Sequence, residues 1–164
     1  MDTKNIENYL KSFGQNVVKD SKALLKKDKG STALGKSIRF KVEETSTGFS
    51  TKFYMDDYGE FLDKGVSGNK KKQSYKDSKG KTQSSPGKGF TTKGPPIDIL
   101  SKWIKRKGIK PKGLISRKIK REGIKSLSFF QKPLGLWYDK LQDDFLKILK
   151  LDIETYLTTF YRPK

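Results

Sequence analysis

The sequence contains no cysteine and no histidine. Without cysteine there is no disulfide and no thiolate metal site, and the redox compartment cannot be read. Without histidine, the commonest general base and the commonest metal ligand are both missing. Apolar residues are also scarce. They make up 32% of the chain against 34% charged residues, a poor ratio for a compact globule, so part of the chain is expected to stay outside the core. No run of about 18 apolar residues occurs, and no membrane span is expected. The first segment, MDTKNIENYLKSFG, has no apolar stretch followed by a small-residue cleavage site, so no secretory signal is expected.

What is abundant is positive charge: 37 Lys and Arg against 18 Asp and Glu, a net charge of +19. It is unevenly placed. Residues 1–63 carry 11 basic and 10 acidic groups, residues 64–125 carry 20 and 3, and residues 126–164 carry 6 and 5. The pattern is a near-neutral frame with one basic insert. A field of this kind favours polyanions or acidic protein surfaces.

The length of 164 residues suits one domain. Ile6, Leu10, Phe13 and Val17 follow at helical spacing and predict an amphipathic helix over 4–28, with Asp2 or Thr3 as its cap and Gly30 as its stop. Gly14 weakens its middle. Ile38, Phe40 and Val42, and then Phe49, Thr51, Phe53 and Met55, alternate with polar residues on either side of TSTG. That pattern predicts a two-strand antiparallel hairpin with one buried face, which must pack on a helix or on more sheet. DDYGEFLDKG (56–65) reads as a turn or short helical piece. Residues 65–95, rich in Gly, Ser, Lys and Pro, read as a long extended loop that buries too little to offset its ordering entropy. Residues 128–134 read as a turn or short extended piece, and 136–160 as a second long helix with Leu141, Phe145, Ile148, Leu149, Asp152, Tyr156 and Leu157 on its apolar side. The expected class is α+β: two long helices packed on a small antiparallel β-sheet, with a long basic loop (65–95) and a basic helix pair (96–125) inserted in a single 1–164 domain.

IKRKGIK (104–110) and IKREGIK (119–125) match at six of seven positions. Both read as the end of a helix. Cations suit the last turn, Gly suits a left-handed cap, and the trailing Ile closes back on the helix. The first helix would run from Asp98 to about Lys107 and the second from Gly113 to Glu122. Two short basic helices joined by a Gly-containing turn resemble a helix-turn-helix in outline. The second lacks the Asn, Gln and Ser cluster used on base edges, and Arg117 and Arg121 are its best readers. Non-specific phosphate contact is therefore the expected mode, set against a merely solvated basic face.

Other constellations are weak. Asp56, Asp57, Glu60 and Asp63 suggest a metal site, and Asp20-Ser21-Lys22 and Asp77-Ser78-Lys79 resemble nuclease triplets; each is expected to be solvated charge. PGKGF (86–90) lacks the strand-to-helix context of a phosphate loop. No catalytic residue, metal ligand or cofactor is expected.

The order of the segments resembles the tail-completion or head–tail joining proteins of tailed bacteriophages, often described as minor tail proteins. The resemblance is carried by STALGKSI (31–38), YGEFLDKG (58–65), PPIDILSKWIKRKGI (95–109) and ISRKIKREGIKSLSFFQKPL (115–134), together with the long first and last helices. It covers most of the chain. It implies a non-enzymatic virion protein at the head–tail junction, made in the host cytoplasm, and forming a hexameric or dodecameric ring around the DNA passage. The implied partners are itself, portal or adaptor proteins and tail proteins, with non-specific contact to genomic DNA and no membrane. The alternative is a non-specific DNA-binding protein that uses the basic helix pair. Lys70, Lys71, Lys72, Phe90, Trp103, Phe129 and Phe130 are the candidate interface residues. Lys102, Lys105, Arg106, Lys107, Arg117, Lys118, Lys120 and Arg121 are the candidate contacts to DNA or an acidic surface.

Overall fold

Apolar residues three and four apart build the first long helix, α1 (Lys4–Lys27), with Phe13, Val17, Val18 and Leu25 buried. The structure is a computed structural model and describes residues 4–27, 32–86 and 112–160. The expected caps at Asp2, Thr3 and Gly30 lie outside these residues. A six-residue helix α2 (Thr32–Ser37) follows, and strands β1 (Arg39–Thr45) and β2 (Gly48–Tyr54) form the expected hairpin. Register places Phe40 opposite Phe53 and Val42 opposite Thr51, so the predicted apolar face is the observed one. That face packs on α1. The Phe13 and Phe53 rings meet edge to face at 6.1 Å, a favoured aromatic geometry. Gly14, read as a weak point in the helix, is the seat of the Phe40 ring, which a Cβ there would strike.

The last long helix, α5 (Gln131–Phe160), packs antiparallel along α1: Asn5 and Ile6 meet Asp152, Tyr9 meets Asp144, and Asp20 meets Trp137. It starts five residues earlier than the spacing predicted. Pro133 falls in the first turn, where a missing N–H costs nothing because those donors have no intrahelical partner. Observed class and expectation agree: α+β, with long helices and small antiparallel sheets of two strands each.

The chain divides into two compact units, Met1–Asp56 with Lys132–Lys164, and Asp57–Gln131. The first holds α1, α2, the hairpin and nearly all of α5. Counted from the sequence, it carries 17 basic and 12 acidic residues, and the inserted unit carries 20 and 6, a net +14. The inserted unit contains α3 (Tyr58–Lys64), β3 (Val66–Ser67), β4 (Ser74–Lys76), β5 (Thr82–Ser84), α4 (Lys112–Glu122) and β6 (Gly123–Ile124). The extended loop expected over 65–95 is corrected across its described part. β3 pairs antiparallel with β6, and β4 with β5. Polar bonding replaces the missing apolar burial: Ser85 Oγ donates to the Lys64 carbonyl, and Gln73 N–H donates to Ser67 Oγ. Fully satisfied backbone groups can hold a segment that has little core of its own.

Candidate polyanion interface

The basic insert is shaped by two glycines that follow helices. Gly123, read from the repeat as a helix stop, is left-handed at φ 77°, directly after α4. Such a residue ends a helix most easily when it has no Cβ. A Cβ here would also collide with the Val66 carbonyl, so the same glycine admits the β3–β6 pairing. The trailing Ile124, expected to fold back on its own helix, instead pairs with Val66. Gly65 ends α3 with a different backbone turn, φ 72° and ψ -179°, which also favours glycine, and the Ile124 carbonyl lies 2.7 Å from where its Cβ would stand. The first copy of the repeat, 104–110, and the helix expected before it lie outside the described residues.

The C-terminal carbonyls of α4 need partners, as at any helix end. They find them in the loop 68–73. Asn69 N–H donates to Lys120 O and Lys70 N–H to Arg121 O, each at 2.9 Å, while Gln73 Nε2 donates to Glu122 O at 2.8 Å. Gly68 N–H closes the loop on Lys71 O. Three consecutive lysines are thereby fixed at the basic end of a helix. Lys70, Lys71 and Lys72 are exposed, as are Arg117, Lys118 and Arg121; Lys120 is half-buried. Glu122 records the local field. A hydrogen bond from Arg121 holds its carboxyl below the usual range, and the charges of Arg121, Lys118 and Lys71 push the same way. The loop lysines and Arg117, Lys118 and Arg121, 45 or more residues apart in sequence, thus form one surface.

Of the other candidates, Phe90, Trp103, Lys102, Lys105, Arg106 and Lys107 lie outside the described residues. Phe129 is fully buried, which removes it from the interface set: it is core of the inserted unit. Phe130 is half-buried, and its N–H is committed to Asp63. The four carboxylates at 56–63 separate. Asp56 and Asp57 are exposed, and Glu60 pairs with Lys64. Asp63, expected to be solvated, is 2% exposed. Its Oδ1 accepts from Phe130 N–H at 2.8 Å and from Gln131 N–H at 3.3 Å, capping the start of α5. Burial raises its pKa, against the lowering effect of those bonds. Among the described residues no group of three or more Asp or Glu is placed to hold a metal ion.

The two nuclease-like triplets also do architectural work. Asp20 accepts from Trp137 Nε1 at 2.8 Å. Asp77 organises the β4–β5 turn by accepting from Lys79 N–H, Lys81 N–H and Gln83 Nε2.

Reading from the sequence missed two features. One is the loop-to-helix capping, whose only signal was the pair of glycines at 65 and 68 flanking Val66 and Ser67. The other is that the side of α5 read as apolar does not face inward along its length: Phe145, Tyr156 and Leu157 from that side are exposed. Leu146 is 73% exposed, and Ile153, Tyr156 and Leu157 are also exposed. Leu146 and Ile153, which lie off the predicted side, join Leu149 and Tyr156 from it in a stripe at spacings of three and four. No family model, no curated protein and no solved structure matches the chain.

Proposed function

We propose that the chain is a virion structural protein of the neck or tail of a tailed bacteriophage. Its copies form a hexameric or dodecameric ring that joins the portal side of the head to the tail and surrounds the DNA passage. It performs no catalysis and contacts portal or adaptor proteins on one side and tail proteins on the other. The observation that carries this reading is the apolar stripe on α5. Leu146, Ile153 and Leu157 stand exposed on a single chain, and a contiguous apolar face of this kind marks an association surface. A second copy of the chain is its occupant in a ring.

The segments that carry the phage resemblance support the reading in a second way. STALGKSI forms α2 and leads into β1; YGEFLDKG forms α3 with its capping Asp63 and positive-φ Gly65; ISRKIKREGIKSLSFFQKPL forms most of α4, its glycine stop and the start of α5. Each shapes a junction between elements, the sort of position where a shared fold constrains residue choice.

The test is disruption of the gene in the phage that encodes it, followed by electron microscopy of the lysate. Filled heads separate from tails are the expected outcome. Normally joined, infectious particles would refute the proposal.

A further inference from the structure

The surface formed by loop 68–73 and α4 has a chemistry distinct from that of the α5 stripe. Residues 69–72 are Asn-Lys-Lys-Lys, and residues 116–122 are Ser-Arg-Lys-Ile-Lys-Arg-Glu. Ile119 is the one apolar side chain among them and is half-buried. A protein partner bound with useful affinity needs a central apolar or aromatic anchor, because rim charges alone contribute little. A nucleic-acid backbone needs none: cations displace its condensed counterions, and that release supplies the affinity. Neither stretch holds an aromatic ring on which an unpaired base could stack. Of the two amide side chains in the loop that could read base edges, Asn69 and Gln73, the longer is committed to capping Glu122.

We propose that loop 68–73 and the C-terminal half of α4 form a surface that binds the phosphate backbone of double-stranded nucleic acid without reading its sequence. Lys70, Lys71 and Lys72 supply contacts from the loop, and Arg117, Lys118 and Arg121 from the helix. Arg117 and Arg121 lie four residues apart and Lys118 and Arg121 three, so they share one face of α4. The bonds from Asn69, Lys70 and Gln73 to the helix end hold the two sets together before any ligand arrives. Preorganised cations lose less conformational freedom on binding than cations on a free chain. Like charges gathered this closely repel one another, and the phosphates relieve that repulsion. The inference rests on the inserted unit alone and stands whether or not the chain is a neck protein.

The test uses the full chain and a fluorescent duplex of about 30 base pairs of arbitrary sequence, read by anisotropy from about 50 to 300 mM salt. Three triple variants are compared: Lys70→Gln with Lys71→Gln and Lys72→Gln; Arg117→Gln with Lys118→Gln and Arg121→Gln; and, as a control of equal charge loss on α1, Lys19→Gln with Lys22→Gln and Lys26→Gln. All three sets change exposed side chains, so folding is retained and is checked by circular dichroism. Each lost phosphate contact lowers the slope of log affinity on log salt by about 0.9. The loop and α4 triples should each lower it by about 2–3, and the control by less than about 1. Equal losses in all three, or a loss confined to one of the first two, would overturn the joint surface. So would tighter binding of single-stranded DNA or polyglutamate than of the duplex, or no duplex binding at about 100 mM salt, within the range where phosphate contacts are measurable.

Discussion

Replacing Asp63 by alanine tests whether a buried carboxylate organises the inserted unit. The wild-type Oδ1 holds the amides of Phe130 and Gln131, and the Gln131 side chain also bonds the carboxylate. Gln131 in turn accepts from Ser78 N–H through its own Oε1. Asp63→Ala leaves two backbone donors at a helix start without their acceptor, in a site that is 2% exposed. A lost cap costs about 1 kcal/mol, and a buried unsatisfied donor about 1–3. Removing a desolvated charge returns part of that, so a net loss of about 2 kcal/mol is expected at neutral pH. Asp63→Asn keeps the carbonyl acceptor and should stay within about 1 kcal/mol of wild type. The pH dependence separates the two contributions. Because burial raises the folded-state pKa above the unfolded value, the native unit binds this proton more tightly than the unfolded chain does. Asp63 therefore favours folding most below its unfolded pKa, and that contribution is lost as pH rises through the raised value. Wild type should gain stability relative to Asp63→Asn as pH falls through this window. The assay is hydrogen exchange of amides 125–131 by mass spectrometry at several pH values, alongside urea melts. If Asp63→Ala leaves protection of these amides unchanged, or if wild type loses ground to Asp63→Asn on acidification, the reasoning is wrong.

Three further outcomes follow from the geometry. Asp152, 1% exposed, accepts from the Asn5 and Ile6 amides and from Asn5 Nδ2; Asp152→Ala should destabilise the α1–α5 pair by about 2–3 kcal/mol in a urea melt followed by Trp137 fluorescence, with Asp152→Asn retaining much of the loss. Gly123→Ala places a methyl against the Val66 carbonyl at a left-handed position; amides of residues 66–70 and 124 should lose exchange protection at least about tenfold, the equivalent of about 1.4 kcal/mol. The buried Ser21 hydroxyl has no hydrogen-bond partner among the described residues, so Ser21→Ala should leave stability unchanged or raise it by up to about 1 kcal/mol, read as an increase in the urea midpoint.

The long elements were legible because each repeats one simple rule over many residues. Phe13 and Val17 on α1, and the alternation of Phe40 with Val42 and Phe49 with Phe53 on the hairpin, announce their faces without tertiary help. Gly123 was legible as a helix stop because its role is local. The inserted unit was not, because its structure depends on partners distant in sequence. β3 is two residues long and exists only by pairing with β6, and no window around Val66 carries a periodic signal. Asp63 looks like an ordinary surface acid and Asp152 like a stray charge on an apolar helix side, yet each caps a helix that begins more than 60 residues away in sequence. A tertiary cap leaves no trace in spacing. Similarly, the lysines at 70–72 read as loop charge until their backbone amides are seen on the end of α4.

This wiring also changes how the insert must be probed. Removing residues 66–94 would delete β3, the capping loop and the β4–β5 pair together, and a loss of assembly would then report unfolding of the unit rather than loss of a contact. Point substitutions on exposed cations and on the α5 stripe avoid that difficulty. Leu146→Glu with Leu157→Glu should leave the monomer's circular dichroism unchanged and abolish its incorporation into particles, because both side chains are exposed on the single chain.

The central claim is that this chain is a built-in component of the head–tail junction. Cryo-electron microscopy of purified particles tests it most directly. The account predicts a closed ring of six or twelve copies at the junction, with α1, α5 and the hairpin recognisable in each subunit and the α5 stripe buried between neighbours. Particles that lack the protein, or that carry it elsewhere with the α5 stripe open to solvent, would contradict it.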